Sequence, residues 1–337
     1  MVYVSFINPI DLYKKDKEKN MKKLLLCFGF IIAVIASFHL VSNHYRYEFY
    51  DWAIDFEASK AELVSKTSRY PLVHGQQDFT YFESPKRAGQ ESIIMLHGFS
   101  ASKENWLRFS SHLYQKYHII ALDLLGHGAN KQDFSQSYSV ESQVEYVRQV
   151  ALKLGLDKFH LVGNSMGGAI SSLYAATHPQ HVLSATLISP AGVHDIPSKM
   201  DELLEEGINP LIALNEDDFV NVVNFVMEEP PFIPAAIIRV EAEKAASRTK
   251  INQRIFEDLH ADIKKGFEVK LKQIQAPVLI IWGDQDRAIN AANIDKYAAL
   301  IPNAKKRVLK DIGHLAMIEA PEVTALAVLD FFEANKI

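Results

Sequence analysis

One serine in the chain stands in a setting suited to nucleophilic chemistry. Gly163-Asn164-Ser165-Met166-Gly167, followed by Gly168, comes directly after the apolar run Phe159 to Val162 and directly before a helix-forming stretch that starts at Ala169. A serine on a sharp strand-to-helix turn has a strained backbone, and its neighbours must be tiny. Glycines two residues to either side supply that room. The hydroxyl is then exposed at the end of a strand, and the helix directs the positive end of its dipole at the reaction site. Such a serine attacks a carbonyl carbon once a base removes its proton, so the pattern points to acyl transfer.

The base and its orienting acid are expected downstream, acid first. Asp286 lies in Trp282-Gly283-Asp284-Gln285-Asp286-Arg287, just past an apolar run, and His314 lies in Asp311-Ile312-Gly313-His314-Leu315, just past the last one. His314 would take the Ser165 proton and return it to the leaving alcohol, while Asp286 would hold the imidazole tautomer. Asp284 competes for the acid role. An aspartate immediately after Gly283 suits loop building, and one two residues later can reach the histidine. The donors expected for a developing oxyanion are the backbone N–H groups of Phe99, in the turn His97-Gly98-Phe99-Ser100, and of Met166. His97 reads as a brace for that turn. Asp123-Leu124-Leu125-Gly126-His127-Gly128 reads as a structural turn that could line the pocket, and His127 precedes the serine, so it is not the expected base. No HExxH and no closely spaced His/Asp cluster occurs, so no metal site is expected. This chemistry needs no cofactor.

These residues must be carried by a sheet. Apolar runs occur at Ser92 to Leu96, His118 to Leu122, Phe159 to Val162, Ala185 to Ile188, Val278 to Trp282 and Arg307 to Leu309. They are short, rich in Val, Ile and Leu, and mostly bounded by Gly, Asn, Asp or Pro. That is the look of strands buried on both faces of a parallel sheet. Helical stretches such as Glu141 to Leu154 and Ala169 to Thr177 separate them, which predicts an α/β core with helices on both faces. The core is expected over 71–192 and 276–337. Ligand sites of such sheets lie at strand C-termini, where all three candidate residues fall. The alternation breaks over 193–275, which reads as an inserted helical lid. Phe219, Phe225 and Phe232 in this insertion are candidate substrate contacts, with simple packing of the lid on the core as the alternative.

Composition narrows the class. The 337 residues are 48% hydrophobic with net charge −5, and no long basic run occurs beyond the N-terminus, so no nucleic-acid partner is expected. The single cysteine, Cys27, allows no intrachain disulfide. Leu24 to Val41 carries no Lys, Arg, Asp or Glu, and six lysines between Lys14 and Lys23 precede it. As a helix of ~1.5 Å rise per residue this run is roughly 27 Å long, close to a bilayer's hydrocarbon core. Positive charge stays cytoplasmic, so the catalytic part is expected on the far side, facing the periplasm of a bacterium. An uncleaved signal anchor over 1–43 and a cleaved signal peptide starting at Met21, with secretion, remain alternatives, beside a buried core helix. Residues 44–70, with Tyr45, Tyr47, Phe49, Tyr50, Trp52 and Phe56, read as a linker helix suited to a membrane interface or to packing on the core.

His97-Gly98-Phe99, Gly163 to Gly168, Trp282 to Asp286 and Gly313-His314 together resemble the α/β-hydrolase family, over residues 70–337. Met95 to Trp106 is similar to the opening of membrane-anchored monoacylglycerol lipases. Asn209-Pro210-Leu211, Asp218-Phe219, Phe225-Val226-Met227 and Pro230 to Pro234 resemble the lid of cold-adapted Moraxella- and Psychrobacter-type lipases. Leu125 departs from the pattern, standing where a proline is frequent. The resemblance implies lipase or esterase activity on acylglycerols or other lipid esters, through Ser165, Asp286 and His314, in a protein with an N-terminal signal or anchor. Two other readings use the same fold: hydrolysis of carbon–carbon or amide bonds, and non-catalytic ligand binding. The apolar lid disfavours the first and the complete Ser-Asp-His set the second.

Overall fold

The apolar runs pair side by side into one eight-stranded sheet in the computed structural model, which describes residues 21–34, 36–37, 44–72, 75–263 and 266–336. The strands are β1 (Val64–Leu72), β2 (Gly75–Glu83), β3 (Ser92–Leu96), β4 (His118–Leu122), β5 (Phe159–Asn164), β6 (Val182–Ile188), β7 (Val278–Gly283) and β8 (Ala304–Leu309). Their spatial order is β1-β2-β4-β3-β5-β6-β7-β8. Pairing is antiparallel at β1–β2 and β2–β4 and parallel from β4 through β8. Every residue of β3, β4, β5 and β7 is buried, as both-face coverage requires.

Two-residue periodicity divides the strands between two cores. Ile94, Leu96, Ile120, Leu161, Leu187 and Ile280 join one cluster, and their neighbours Ile93, Met95, Ile119, Val162, Ile188 and Ile281 join the other. The first is closed by α2 (Val140–Lys153), α3 (Met166–Thr177) and α9 (Asn293–Leu300). The second is closed by α10 (Pro321–Ala334), through Val328, Leu329 and Phe332, and by the short helical turns around Trp106 and Phe109. In α2 the apolar face is Val140, Val144, Val147 and Ala151, at helical spacing, and Ser139 caps its start by accepting the Ser142 N–H.

The expected linker helix needs correction. Helix α1 spans only Arg46–Ser59, and Val64 already opens the first strand. The β1–β2 hairpin escaped the periodicity argument because charges align across it: Lys66 with Glu83 at 2.5 Å and Arg69 with Asp78 at 2.6 Å. Such pairs knit exposed antiparallel strands without an apolar signature. Helix α1 packs on the insertion. Arg46 pairs with Glu243 at 3.1 Å, and Lys244 Nζ sits 3.6 Å from the centre of the buried Tyr50 ring. Its other side exposes Trp52 and Phe56, stacked at 5.6 Å.

Between β6 and β7 the described residues form helices and no strand: α4 (Lys199–Glu205), α5 (Glu216–Val226), α6 (Ala235–Ser247), α7 (Thr249–Ile263) and α8 (Phe267–Leu271). At the N-terminus, residues 21–34 are helical with their large apolar side chains exposed, so this stretch is not a buried core helix. The preceding lysines up to Lys19, and residues 35 and 38–41 of the apolar run, lie outside the described residues. Among the described residues no helix is long and apolar enough to cross a membrane.

The loop after β4 is braced by buried polar groups. Asp123 accepts from Thr80 Oγ1 at 2.6 Å, from Lys103 N at 2.8 Å and Nζ at 2.9 Å, and from Ala129 N at 3.0 Å. His127 Nδ1 donates to Leu125 O at 2.9 Å, and burial pushes its pKa down to about 3. In the unfolded chain a histidine titrates near ~6.5. Above that pH both states are neutral here. Below it the unfolded state takes a proton that the folded state refuses, so His127 removes stability progressively from about pH 6.5 toward pH 3. Thermal unfolding is expected to show Tm falling between pH 7 and pH 5, with a shallower fall in His127→Gln. Equal slopes in the two proteins would contradict this origin.

Candidate active site

Ser165 sits between β5 and α3 in the left-handed region, with φ +53° and ψ −116°. Such a backbone costs about 1–3 kcal/mol unless its surroundings enforce it. Here they do: Ser165 N donates to Ile188 O, and Ser165 O accepts from Ala169 N and Ala191 N, all at 3.0 Å. The glycines beside it are required by contact. A Cβ on Gly163 would lie 2.1 Å from Gly167 O, and one on Gly167 would lie 2.0 Å from Leu96 O. The end of β3 therefore presses against the start of α3. The next turn follows closely, since a Cβ on Gly98 would lie 3.2 Å from Ser165 Cβ. This contact brings His97-Gly98-Phe99 against the serine. Met166 opens α3, where the first N–H groups have no acceptor within the helix.

The candidate acid and base meet beyond the ends of β7 and β8. His314 Nδ1 lies 2.7 Å from Asp286 Oδ2, and both side chains are buried. The same Oδ2 accepts from Trp282 Nε1 at 3.0 Å, while Oδ1 accepts from Ala288 N and Ile289 N at 2.9 Å each. With the carboxylate as acceptor, Nδ1 carries the proton and Nε2 is left as the basic nitrogen. The backbone around His314 is tied to the serine's strand: Asn164 Nδ2 donates to His314 O at 3.1 Å and to Ile188 O at 3.2 Å. Asp284 is engaged elsewhere. Its Oδ1 accepts from Asp311 N at 2.8 Å, so it braces the loop between β8 and His314 from an exposed position.

On the opposite flank, His97 is buried and closed off as a brace. Its Nδ1 donates to Gly98 O at 2.7 Å and its Nε2 accepts from Leu124 N at 3.1 Å. Ser100 also has a positive φ, +57°, and its hydroxyl accepts from Asn252 Nδ2 at 2.9 Å. Helix α7 thus reaches the turn that carries Phe99, and Phe256 adds an edge-to-face contact with the Phe99 ring at 5.4 Å. A cleft of about 820 Å³ opens beyond Phe256, with Gly192, His194, His260 and Phe267 among its walls.

The three insertion phenylalanines do not behave alike. Phe225 packs against the core cluster, Phe219 is half-buried, and Phe232 stands in solvent at 86% exposure. Phe232 therefore departs from the expected pocket wall. The prolines on both sides of it, Pro231 and Pro234, keep this stretch out of a helix that could turn it inward. Asn164, Trp282 and Asn252 carried no role in the sequence reading, although Asn164 lies inside the serine motif and Trp282 stands four residues before Asp286. Asn164 and Trp282 are polar side chains at strand ends next to the candidate serine and acid, which is the signal that points to them; Asn252, inside α7, carries no such signal.

The sequence pattern of the α/β hydrolase fold matches residues 91–225 and 233–321. The chain is 33% identical over 275 residues to Lipase 1 of Psychrobacter immobilis, covering 81% of this chain and 85% of that protein. It is 30% identical over 275 residues to monoacylglycerol lipase abhd6-B of Xenopus laevis, covering 77% of this chain and 81% of that one. Among solved structures it resembles a membrane phospholipase A with TM-score 0.83 and 34% identity, covering 93% of this chain and 99% of that one. Together with the serine turn and the buried Asp286–His314 contact, these matches establish that the chain belongs to the α/β hydrolase family.

Proposed function

We propose that this chain is a lipase or esterase that hydrolyses carboxylic esters of acylglycerols through Ser165, His314 and Asp286. The 2.7 Å contact of Asp286 with His314, held at the same sheet edge as the left-handed Ser165, carries the reading. Relatives named as lipases and monoacylglycerol lipases support the substrate class.

Each group has one task. His314 Nε2 accepts the hydroxyl proton as Ser165 Oγ bonds to the ester carbonyl carbon. The carbonyl oxygen gains negative charge, and the N–H groups of Phe99 and Met166 take it up. The tetrahedral centre collapses, the C–O bond to the alcohol breaks, and the imidazolium returns the proton to that alcohol. Water then repeats the sequence on the acyl-serine, releasing the acid. Asp286 stabilises the imidazolium and fixes its tautomer.

The apolar run Leu24 to Val41 and the exposed Trp52 and Phe56 support a membrane-proximal protein, held by an N-terminal anchor with its catalytic part on the non-cytoplasmic side, or exported after cleavage. As an anchored protein, the full chain should sediment with membranes, and a form lacking residues 1–43 should remain in the supernatant. Full-length, unprocessed protein in the supernatant would contradict the anchor.

Hydrolysis of p-nitrophenyl esters from short to long acyl chains tests the chemistry. Turnover should vanish in Ser165→Ala to within the ~10³–10⁴-fold residual that an intact oxyanion hole leaves over water. The chain length of maximal rate separates an esterase from a lipase. A folded wild-type protein inactive on every ester, or an active Ser165→Ala, would overturn the proposal.

A further inference from the structure

We infer that Glu319 is a positioning residue for His314, fastening the histidine's loop to the segment by which the chain leaves α5. The inference rests on the ester-hydrolase reading above, in which His314 is the base.

Glu319 ends a short helix, Ala316–Glu319, five residues past His314. Both carboxylate oxygens are committed to backbone. Oε1 accepts from Gly313 N at 3.0 Å, and Oε2 accepts from Glu228 N at 2.8 Å and Glu229 N at 3.1 Å. One carboxylate thus joins the residue before the base to two residues that follow α5. The approach is close enough to exclude a side chain at position 313, where a Cβ would lie 2.8 Å from Glu228 N and 2.9 Å from Glu319 Oε1. His314 itself completes the seam, donating its N–H to Val226 O at 2.8 Å.

The other end of this segment is held from the acid's loop. Arg287, next to Asp286, donates through Nη1 to Asn224 O and Met227 O at 3.2 Å each, and its guanidinium also pairs with Glu228. Residues 224–229 are therefore a strut between the Asp286 loop and the His314 loop, and Glu319 is its attachment on the His314 side. Without that attachment three backbone N–H groups lose their acceptor, and the His314 loop loses the anchor before the base. A displacement of ~1 Å at a reacting group costs about 100-fold in rate. The effect belongs to the chemical step, because Glu319 acts on the base and not on the ester.

Glu319→Gln keeps the size but turns an amide nitrogen toward N–H donors, and Glu319→Ala removes both acceptors. With p-nitrophenyl butyrate as substrate, kcat is expected to fall roughly 10–100-fold in both folded variants while KM stays near the wild-type value. Phosphonylation of Ser165 by a p-nitrophenyl phosphonate should slow in parallel, since it needs the same base. Wild-type kcat in folded Glu319→Gln, or a loss confined to KM, would overturn the inference. So would failure of both variants to fold, which would mark Glu319 as a residue of stability alone. Ser165→Ala assayed alongside separates the two levels. If it is active, the ester-hydrolase reading fails. If it is dead while Glu319→Gln is unimpaired, only the role of Glu319 fails.

Discussion

A buried carboxylate must have its lone pairs occupied, and around Asp286 that requirement organises the whole edge of the sheet. Leaving a charge of this kind unpaired away from water costs on the order of several kcal/mol. Four N–H groups meet the need: the Trp282 indole from the end of β7, the Ala288 and Ile289 amides from the turn beyond, and the His314 imidazole from the end of β8. They come from three parts of the chain, so the carboxylate is satisfied only when β7, its following turn and the β8 loop are all in register. The His314 ring is oriented by the same contact that helps satisfy the Asp286 carboxylate.

The serine side obeys a different constraint, that of backbone against backbone. Gly163 and Gly167 let β5, α3 and the end of β3 meet at distances no side chain would tolerate. This closeness puts the His97–Phe99 turn beside Ser165. Asn164 then joins the two halves by bonding to the carbonyls of Ile188 and His314. The serine turn and the His314 loop are thus coupled through the Asn164 side chain.

Much of this was legible from residue order. The buried parallel strands advertised themselves as short runs of Val, Ile and Leu, and Ser165, Asp286 and His314 each fall just beyond such a run. What stayed hidden depends on loop conformation or on polar pairing. Spacing from Gly283 favours Asp286 over Asp284, but the amides of Ala288 and Ile289 that hold its carboxylate toward the histidine belong to a turn that residue order does not display. Strand β1 is stitched to β2 by Lys66–Glu83 and Arg69–Asp78, pairs that leave no apolar period, so its region read as the end of a helix. Phe232 looked like a pocket residue by composition, but its flanking prolines hold it in an extended, solvated stretch.

The dependence of the site on Asp286 is tested most directly by comparing kcat for ester hydrolysis in Asp286→Asn and Asp284→Asn. A fall on the order of 10⁴-fold is expected for Asp286→Asn, because an amide facing Nδ1 favours the wrong imidazole tautomer. No more than a few-fold change is expected for Asp284→Asn, whose bond to the Asp311 amide an asparagine oxygen can replace. A large loss in Asp284→Asn with near-normal turnover in Asp286→Asn would contradict the account.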